Sequence, residues 1–439
     1  MVIRLNLKNG RFRAAMLVTS VIMLGFLTKV VIAEFIAGTL IDETTPEILI
    51  SAVDYLPYSG RLFARLATVE MKGTAGDLES AEAHVSRAIE LSPNNYNYRL
   101  LLASVREAQG NQSGAQQSLN DALALAPNYS KVHWRMANLL VRMGRIQEAI
   151  EHFQILANTS PELVPAMLDL IWSLLKQEED TVATLQKVVE NNPQAQLSLA
   201  RFLANQSRIG EGAKIFGGVD KEVAVSSLES SFFFDLLITK GYPKTASDLW
   251  EKMMGEANEN KGFPKIWNGD FEIESSPKQP AQFNWKIKIS DYVRVSIDDK
   301  RARSGKSSLL LAFAGKDTTR LSDEVQKLIV LEPGVNYRLE YYMKTEDFRT
   351  PEGPRVVVSD RLGKLIAASE PVPLGTNDWT RAAFNFTPQP QKGISDGSAP
   401  LIISIKREPH YAYDEPTSGR IWFDDFAISI IQRQPVSGK

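Results

Sequence analysis

A 34-residue period constrains this chain more than any other feature. Pro93, Pro127 and Pro161 are each 34 residues apart, and Gly76, Gly110 and Gly144 keep the same spacing, as do Ala81, Ala115 and Ala149. A fixed period of 20–50 residues marks a stack of identical supersecondary units, none of which can bury its apolar face alone. Each position has a physical role. The glycine permits a tight turn between two helices. The alanine five residues later lets those helices approach closely, and the proline falls where the second helix cannot continue. That second helix reads with apolar spacing at Ile146, Ala149, Ile150, Phe153 and Leu156. The pattern weakens past Pro161. Pro193 follows after 32 residues, while Gly241 and Ala246 keep the five-residue offset and Trp250 takes the bulky slot of Phe153 and Leu119. The helical array is therefore expected over residues 61–255.

With its 34-residue, two-helix unit, this stretch resembles the tetratricopeptide repeats. The resemblance implies a solenoid whose inner face grips a peptide or partner segment. Alignment on the prolines puts Asn97, Leu100 and Ser104 on the inner face of one unit and Lys131, Trp134 and Asn138 on that of the next, with Trp172 at a comparable place in the third. Asn97, Trp134, Asn138 and Trp172 are the expected partner-binding residues. The alternative for the two tryptophans is that they fill the core between repeats.

At the N-terminus, Arg4, Lys8, Arg11 and Arg13 form a basic cluster without an acid, and Ala14 to Thr28 carries no charge. A membrane span needs about 20 mostly apolar residues. Ala14 to Ala33 supplies them if the Lys29 amine reaches along its stem toward an interface. The positive-inside bias then keeps the first residues cytoplasmic. A cleaved signal peptide ending at Val31-Ile32-Ala33 is the competing reading, and a buried helix of a soluble protein is the third. Residues 1–35 are thus a transmembrane or signal helix. The first reading implies a single-pass protein of a bacterial inner membrane with its bulk in the periplasm, and the second a periplasmic or secreted one.

After the helices, the stretch around Gly262 and Pro264 reads as a linker. Over 263–433 short alternating segments punctuated by Pro, Gly, Asn and Asp argue for an antiparallel β-sandwich. Strands are expected at Tyr292–Ile297, Ser308–Phe313, Tyr337–Lys344, Val356–Ser359, Arg381–Phe386, Leu401–Lys406 and Ile421–Ile430. Five blocks stand in order: WNGDFE from Trp267, RSGKSSLLLAF from Arg303, LEPGVNYRLEYYMKTEDF from Leu331, NDWTRAAFNFTP from Asn377 and RIWFDDFAIS from Arg420. Together they resemble the galactose-binding-like jelly rolls found among carbohydrate-binding modules. The fold class is therefore multidomain: an N-terminal helix, an α-helical repeat solenoid and an all-β jelly roll.

That resemblance implies that the first and last strands lie together and that their acids hold a structural calcium. Glu272 and Asp425 are the expected side-chain ligands, with carbonyls from the Arg303–Lys306 turn completing the six to eight oxygens that calcium takes. A sugar needs rings for its C–H faces and polar neighbours for its hydroxyls. Along Tyr337–Lys344, alternation sends Tyr337, Leu339, Tyr341 and Met343 inward and Tyr342 and Lys344 outward. Ser404 and Lys406 point outward by the same logic. Tyr342, Tyr292, Arg294, Lys344, Lys406, Tyr411 and Tyr413 are the candidate glycan residues, while Trp285 and Trp379 are assigned to the core.

Other chemistry lacks its parts. With no cysteine there is no disulfide, zinc–thiolate site or cysteine nucleophile. Ser304-Gly305-Lys306-Ser307 ends like a P-loop, but Lys300 stands where the first glycine belongs and a strand follows. His133 and His152 have no partner at metal or triad spacing. Asp270, Glu272, Asp424 and Asp425 are the only obvious acids for glycoside hydrolysis, and no G-x-S-x-G elbow occurs. A net charge of −2 argues against nucleic acid. The expectation is a non-catalytic, membrane-anchored envelope scaffold with no catalytic cofactor. It binds a protein through its repeats and a polysaccharide through its sandwich, in the setting of extracellular polysaccharide assembly or export. The alternative is a protein-interaction component that binds no glycan.

Overall fold

In the computed structural model, residues 10–40, 42–73, 77–175, 180–254, 266–273, 281–290, 292–316, 320–408 and 416–431 are described. Fifteen α-helices and one short 3-10 helix, Pro161–Leu163, precede ten strands among the described residues. The first eight helices are α1 (Gly10–Thr39), α2 (Pro46–Tyr55), α3 (Gly60–Lys72), α4 (Leu78–Leu91), α5 (Tyr96–Ala108), α6 (Gln112–Leu125), α7 (Ser130–Arg142) and α8 (Ile146–Thr159). They belong to one compact unit, Met1–Leu163. A second unit, Val164–Lys439, holds everything after it. The contacts thus divide the chain well before Gly262 and Pro264, which lie outside the described residues, and the later helices belong with the sandwich.

In the first unit, α3/α4, α5/α6 and α7/α8 are the helical hairpins that the repeat requires. Gly110 and Gly144 sit between partners at φ 80° and 74°, the left-handed conformation that a side chain resists. The equivalent turn at Gly76 lies outside the described residues. Ala81, Ala115 and Ala149 are buried at the close approach of the paired helices. Asn111 accepts the Gly114 amide at 2.9 Å and so caps α6. Phe153, Leu156, Met136 and Leu140 are almost wholly buried, each contributing about 1.5–3 kcal/mol relative to exposure. Helix α1 differs in kind. Over Arg13–Ile32 it is long and apolar enough to cross a membrane, and none of that stretch is buried.

The second unit begins with α9 (Val164–Leu175), α10 (Thr181–Val189), α11 (Pro193–Asn205), α12 (Ile209–Gly218), α13 (Lys221–Ser226), α14 (Leu228–Thr239) and α15 (Pro243–Met254). Its strands are β1 (Trp285–Ile287), β2 (Val293–Asp298), β3 (Ser308–Lys316), β4 (Val325–Leu331), β5 (Tyr337–Arg349), β6 (Arg355–Asp360), β7 (Leu365–Ala368), β8 (Gly375–Phe386), β9 (Ala399–Lys406) and β10 (Thr417–Ile430). They form two five-stranded antiparallel sheets, β1-β4-β9-β6-β7 and β2-β3-β10-β5-β8. The seven strands expected from alternation are present, joined by β1, β4 and β7. Tyr337, Leu339, Tyr341, Phe423 and Ile403 meet in the core between the sheets. Trp285 joins them, but Trp379 is only half-buried on β8 and stays outside that core, a correction to its assignment.

The WNGDFE segment is a structural clasp. The Asn268 side chain bonds both the amide and the carbonyl of Ile273 at 2.9 Å, and the Trp285 indole donates to the Asn268 carbonyl at 2.9 Å. A Cβ on Gly269 would lie 2.1 Å from the Phe426 carbonyl, so only glycine lets β10 approach. Lys327 of β4 points inward, and its amine donates to the carbonyls of Trp267 and Phe283. Burial holds that amine well below its ordinary pKa.

The last helical hairpin is docked on the sandwich. Asp396, between β8 and β9, accepts the backbone amides of Lys244 and Thr245 at 2.7 and 3.3 Å, so it caps the first turn of α15 from a distant part of the chain. The Ser395 amide donates to the Gly241 carbonyl at 2.7 Å. A Cβ on Gly241 would be 2.1 Å from the Gly393 carbonyl. Loss of a capping side chain costs about 0.5–2 kcal/mol. Asp396→Ala is therefore expected to lower the stability of the second unit by about 1 kcal/mol in urea titrations, with Asp396→Asn restoring most of it. An unchanged midpoint in the alanine variant would remove Asp396 from this role.

Candidate functional site

Helices α3, α5 and α7 begin at residues 60, 96 and 130, so the first spacing is two residues longer than the second. Aligned on those starts, the second position of the three helices is Arg61, Asn97 and Lys131, and the sixth is Arg65, Leu101 and Arg135. These residues, with Lys72, Tyr98, Ser104 and Trp134, line a groove of about 690 Å³. Five cations line it, and no carboxylate is among the lining residues.

The cations are held rather than neutralised. Arg65 Nε donates to the Glu43 carbonyl at 2.7 Å, Lys131 Nζ reaches Asn97 Oδ1 at 3.5 Å, and Arg135 donates to the Ser104 hydroxyl. None of Arg65, Lys72, Lys131 and Arg135 forms an ion pair among the described residues. Elsewhere in these repeats the arginines are paired: Arg99 with Asp121, Arg106 with Glu82, Arg142 with Glu107 and Arg145 with Glu148. The groove thus concentrates positive charge around one half-buried indole, that of Trp134, whose ring meets Phe153 edge-on at 6.3 Å.

Of the expected partner-binding residues, Asn97 and Trp134 line this groove. Asn138 lies one turn beyond and donates to the Trp134 carbonyl at 2.7 Å. Trp172 belongs to the second unit and packs edge-on to Phe202 at 5.8 Å. Arg61, Arg65, Lys72 and Arg135 escaped sequence reasoning. For the residues of α3, alignment on the prolines shifts the helix by two residues, and that helix has no proline to mark it.

The sandwich does not gather its predicted glycan residues into one cleft. Tyr342 and Lys344 lie on β5, Tyr292 and Arg294 on or beside the edge strand β2, and Lys406 on the opposite sheet. Tyr411 and Tyr413 lie outside the described residues. One face of the Tyr342 ring is covered by the Arg303 guanidinium, 3.8 Å from the ring centroid. Lys344 is paired with Asp378 at 2.6 Å. Around them Arg381 pairs with Glu340, and Arg301 and Arg420 both pair with Glu346. This face is a ladder of satisfied charge. Tyr292 and Arg294 border a separate hollow of about 370 Å³. Lys406 lines one of about 350 Å³ with Arg355, Val357 and Leu365. Ser404 is wholly buried rather than outward-facing.

The expected calcium ligands have the wrong company. Glu272 Oε1 accepts the amides of Lys306 and Ser307, both at 2.7 Å. Asp425 accepts Arg303 Nη1 at 2.8 Å and the Ser304 hydroxyl at 2.6 Å. The turn expected to offer carbonyls aims N–H groups and a guanidinium at the acids instead. A metal ion cannot share those donors, and the residues present do not fit calcium. Among the described residues no cluster of three or more His, Asp or Glu could hold a metal. Asp424 is buried beside them, and burial pushes its carboxyl up to about 6 despite amide bonds from Arg303 and Asp425. A β-bulge after Asp424, with Asp425 at φ 53°, turns both acids onto this one loop.

The first unit is an array of helical hairpins with a cation-lined groove along one face. Residues 74–133 and 106–171 match the tetratricopeptide repeat family model. The chain is 35% identical over 77 residues to the TPR repeat-containing thioredoxin TTL4 of Arabidopsis thaliana, a match covering 18% of this chain. The chain spans about a tenth (11%) of that curated relative's length. Among solved structures, the MamA protein is 16% identical, with 36% of this chain and 90% of MamA covered at a TM-score of 0.30. YrrB, a TPR protein with an unusual peptide-binding site, is 13% identical over 46% of this chain and 100% of its own, TM-score 0.28. The CBM22-1 xylan-binding domain from Paenibacillus barcinonensis Xyn10C is 14% identical over 40% of this chain and 99% of its own, TM-score 0.25.

Proposed function

We propose that this protein is a non-catalytic scaffold whose repeat groove holds an acidic segment of a partner protein. The observation that carries the reading is the run of cations around Trp134, of which Arg65, Lys72, Lys131 and Arg135 form no ion pair among the described residues. An anionic segment gains charge-assisted hydrogen bonds there, and an apolar residue beside it gains the indole as an anchor. The sandwich serves polysaccharide in the same reading. Helix α1 anchors the chain in a bacterial inner membrane, with the repeats and sandwich in the periplasm, in the setting of extracellular polysaccharide assembly or export. Supporting the anchor are the apolar stretch Arg13–Ile32 of α1, none of which is buried, and the Lys29 amine, which lies 5.6 Å over the Tyr58 ring. Tyrosines and lysines gather at membrane interfaces. The ion-paired outer face around Tyr342 favours the alternative, a protein-interaction component without a glycan.

The groove is tested with a fluorescein-labelled peptide of Asp, Glu and Leu against its Lys-substituted counterpart. Fluorescence anisotropy is expected to show binding of the acidic peptide alone. Lys131→Glu with Arg135→Glu is expected to weaken it at least about tenfold, which is about 1.4 kcal/mol. Equal affinity for both peptides, or an unaffected double variant, defeats the reading.

A further inference from the structure

We infer that a second cleft, walled by the end of α14 and the β6–β7 hairpin, binds an acidic polysaccharide of the uronate class. This deepens the glycan half of the proposed function and rests on it. The cleft is about 700 Å³ and reaches from Thr239 across Arg361, Leu362 and Lys364 to the loop around Gln389–Lys392. That volume suits a small-ligand site. Neither domain makes it alone, because one wall is helical and the others belong to the sandwich.

Its chemistry is that of an anionic sugar. Arg361, Lys364 and Lys392 line it, and none of them forms an ion pair among the described residues. Asp360 is the single carboxylate among the lining residues. Its Oδ1 accepts the amides of Leu362 at 2.9 Å and Lys364 at 2.8 Å, so its charge is turned into the hairpin's own loop. Thr387, Gln389 and Gln391 add hydroxyl and amide groups of the kind that read sugar hydroxyls. Leu362 and Leu365 are 95% and 60% exposed and offer an apolar surface for the C–H face of a ring. The absence of an aromatic anchor and of a deep apolar pocket among the lining residues disfavours a peptide.

The walls are fixed in advance. Arg361 Nη1 donates to the Ile238 carbonyl at 2.9 Å, tying the hairpin to α14. Gly241 seats against Gly393, and Asp396 caps α15 just beyond. A preformed cleft loses little freedom on binding. The six residues whose side chains do this work are Arg361, Lys364, Lys392, Gln389, Gln391 and Leu362. Lys406, Tyr342 and the other predicted glycan residues play no part in it.

Affinity electrophoresis of the full chain in detergent tests the assignment, with polygalacturonate, neutral xylan or dextran in the gel. Polygalacturonate is expected to retard the protein, less so as salt is raised, and the neutral polymers are not. Lys364→Glu with Lys392→Glu is expected to weaken retardation at least tenfold. Both side chains are exposed, so circular dichroism should be unchanged. Arg361→Gln gives an independent second reading with the same direction. No retardation by polygalacturonate, or equal retardation of the double variant, overturns the assignment. If xylan or dextran binds instead and the variants are neutral, this cleft fails while the glycan half of the function stands. If no polysaccharide binds, both fail. If the acidic peptide of the groove assay loses affinity in these variants, the cleft serves protein and the assignment is wrong.

Discussion

Trp250→Ala is expected to cost the second unit about 3–5 kcal/mol, the range for deleting a fully buried large aromatic. Trp250 is 1% exposed. It meets Trp267 edge-on at 4.9 Å and Phe283 at 5.7 Å, both from the segment that leads into the sandwich. It is therefore the largest buried side chain joining the helical end to the β domain. Removing it opens a hole between α15 and the segment that carries Trp267 and Phe283. Urea unfolding should follow one transition in the wild-type unit, by far-UV circular dichroism at helix and sheet wavelengths alike. The variant should unfold earlier and its helical signal should leave first. Trp250→Phe keeps most of the volume and should recover more than half of the loss. A midpoint within about 1 kcal/mol of wild type would show that the junction does not depend on this residue.

Trp250 also marks how far the sequence could be read. The 34-residue period predicts a bulky side chain there, as at Phe153 and Leu119, and a buried one is present. The period cannot say that its neighbours are Trp267 and Phe283, because periodicity encodes contacts within and between repeats and nothing about a later domain. Helices, turn glycines and most strands were legible for the same reason, since each is written in local spacing. The strands that were missed have local causes. β1 is three residues long, β7 is four, and β4 carries Lys327 at an inward position that breaks the alternation.

Sites were less legible than the fold. Asn97 and Trp134 follow from the repeat register, but Arg61 and Arg65 depend on a two-residue offset that is visible only once the helix starts are known. The calcium expectation came from the resemblance to the jelly rolls, which carries no information on the hydrogen bonds these acids make. What decides it is the direction of the amides in the Arg303–Lys306 turn, a backbone property with no sequence signature. The described members of the glycan list lie apart on the sandwich for a related reason. Alternation identifies which face a residue is on, and it correctly sends Tyr342 outward, but it does not reveal that Arg303 from another loop lies over the ring.

His133 and His152 are 19 residues apart and carry no motif, yet their Nδ1 atoms lie 2.9 Å apart. His133 Nε2 is 2.7 Å from the Pro127 carbonyl, which can only accept, so that nitrogen carries the proton. The two Nδ1 atoms share one hydrogen bond. Burial first, and the neighbouring His133 second, lower the His152 pKa from 6.5 to about 4, while Glu148 one turn away pulls weakly the other way. Between those two values the unfolded chain binds more protons than the folded one, so stability falls as the pH falls. The loss starts below about pH 6.5 and is complete near pH 4. From pH 7.5 to 5, before most carboxylates titrate, linkage gives about 2 kcal/mol for the first unit. Calorimetry should show its melting temperature dropping by several degrees over that interval. His152→Gln keeps a donor at this position and should flatten the dependence without changing the second unit. An acid shift as large in the variant as in the wild type would mean that other groups cause it, and that the histidine pair is only a packing contact.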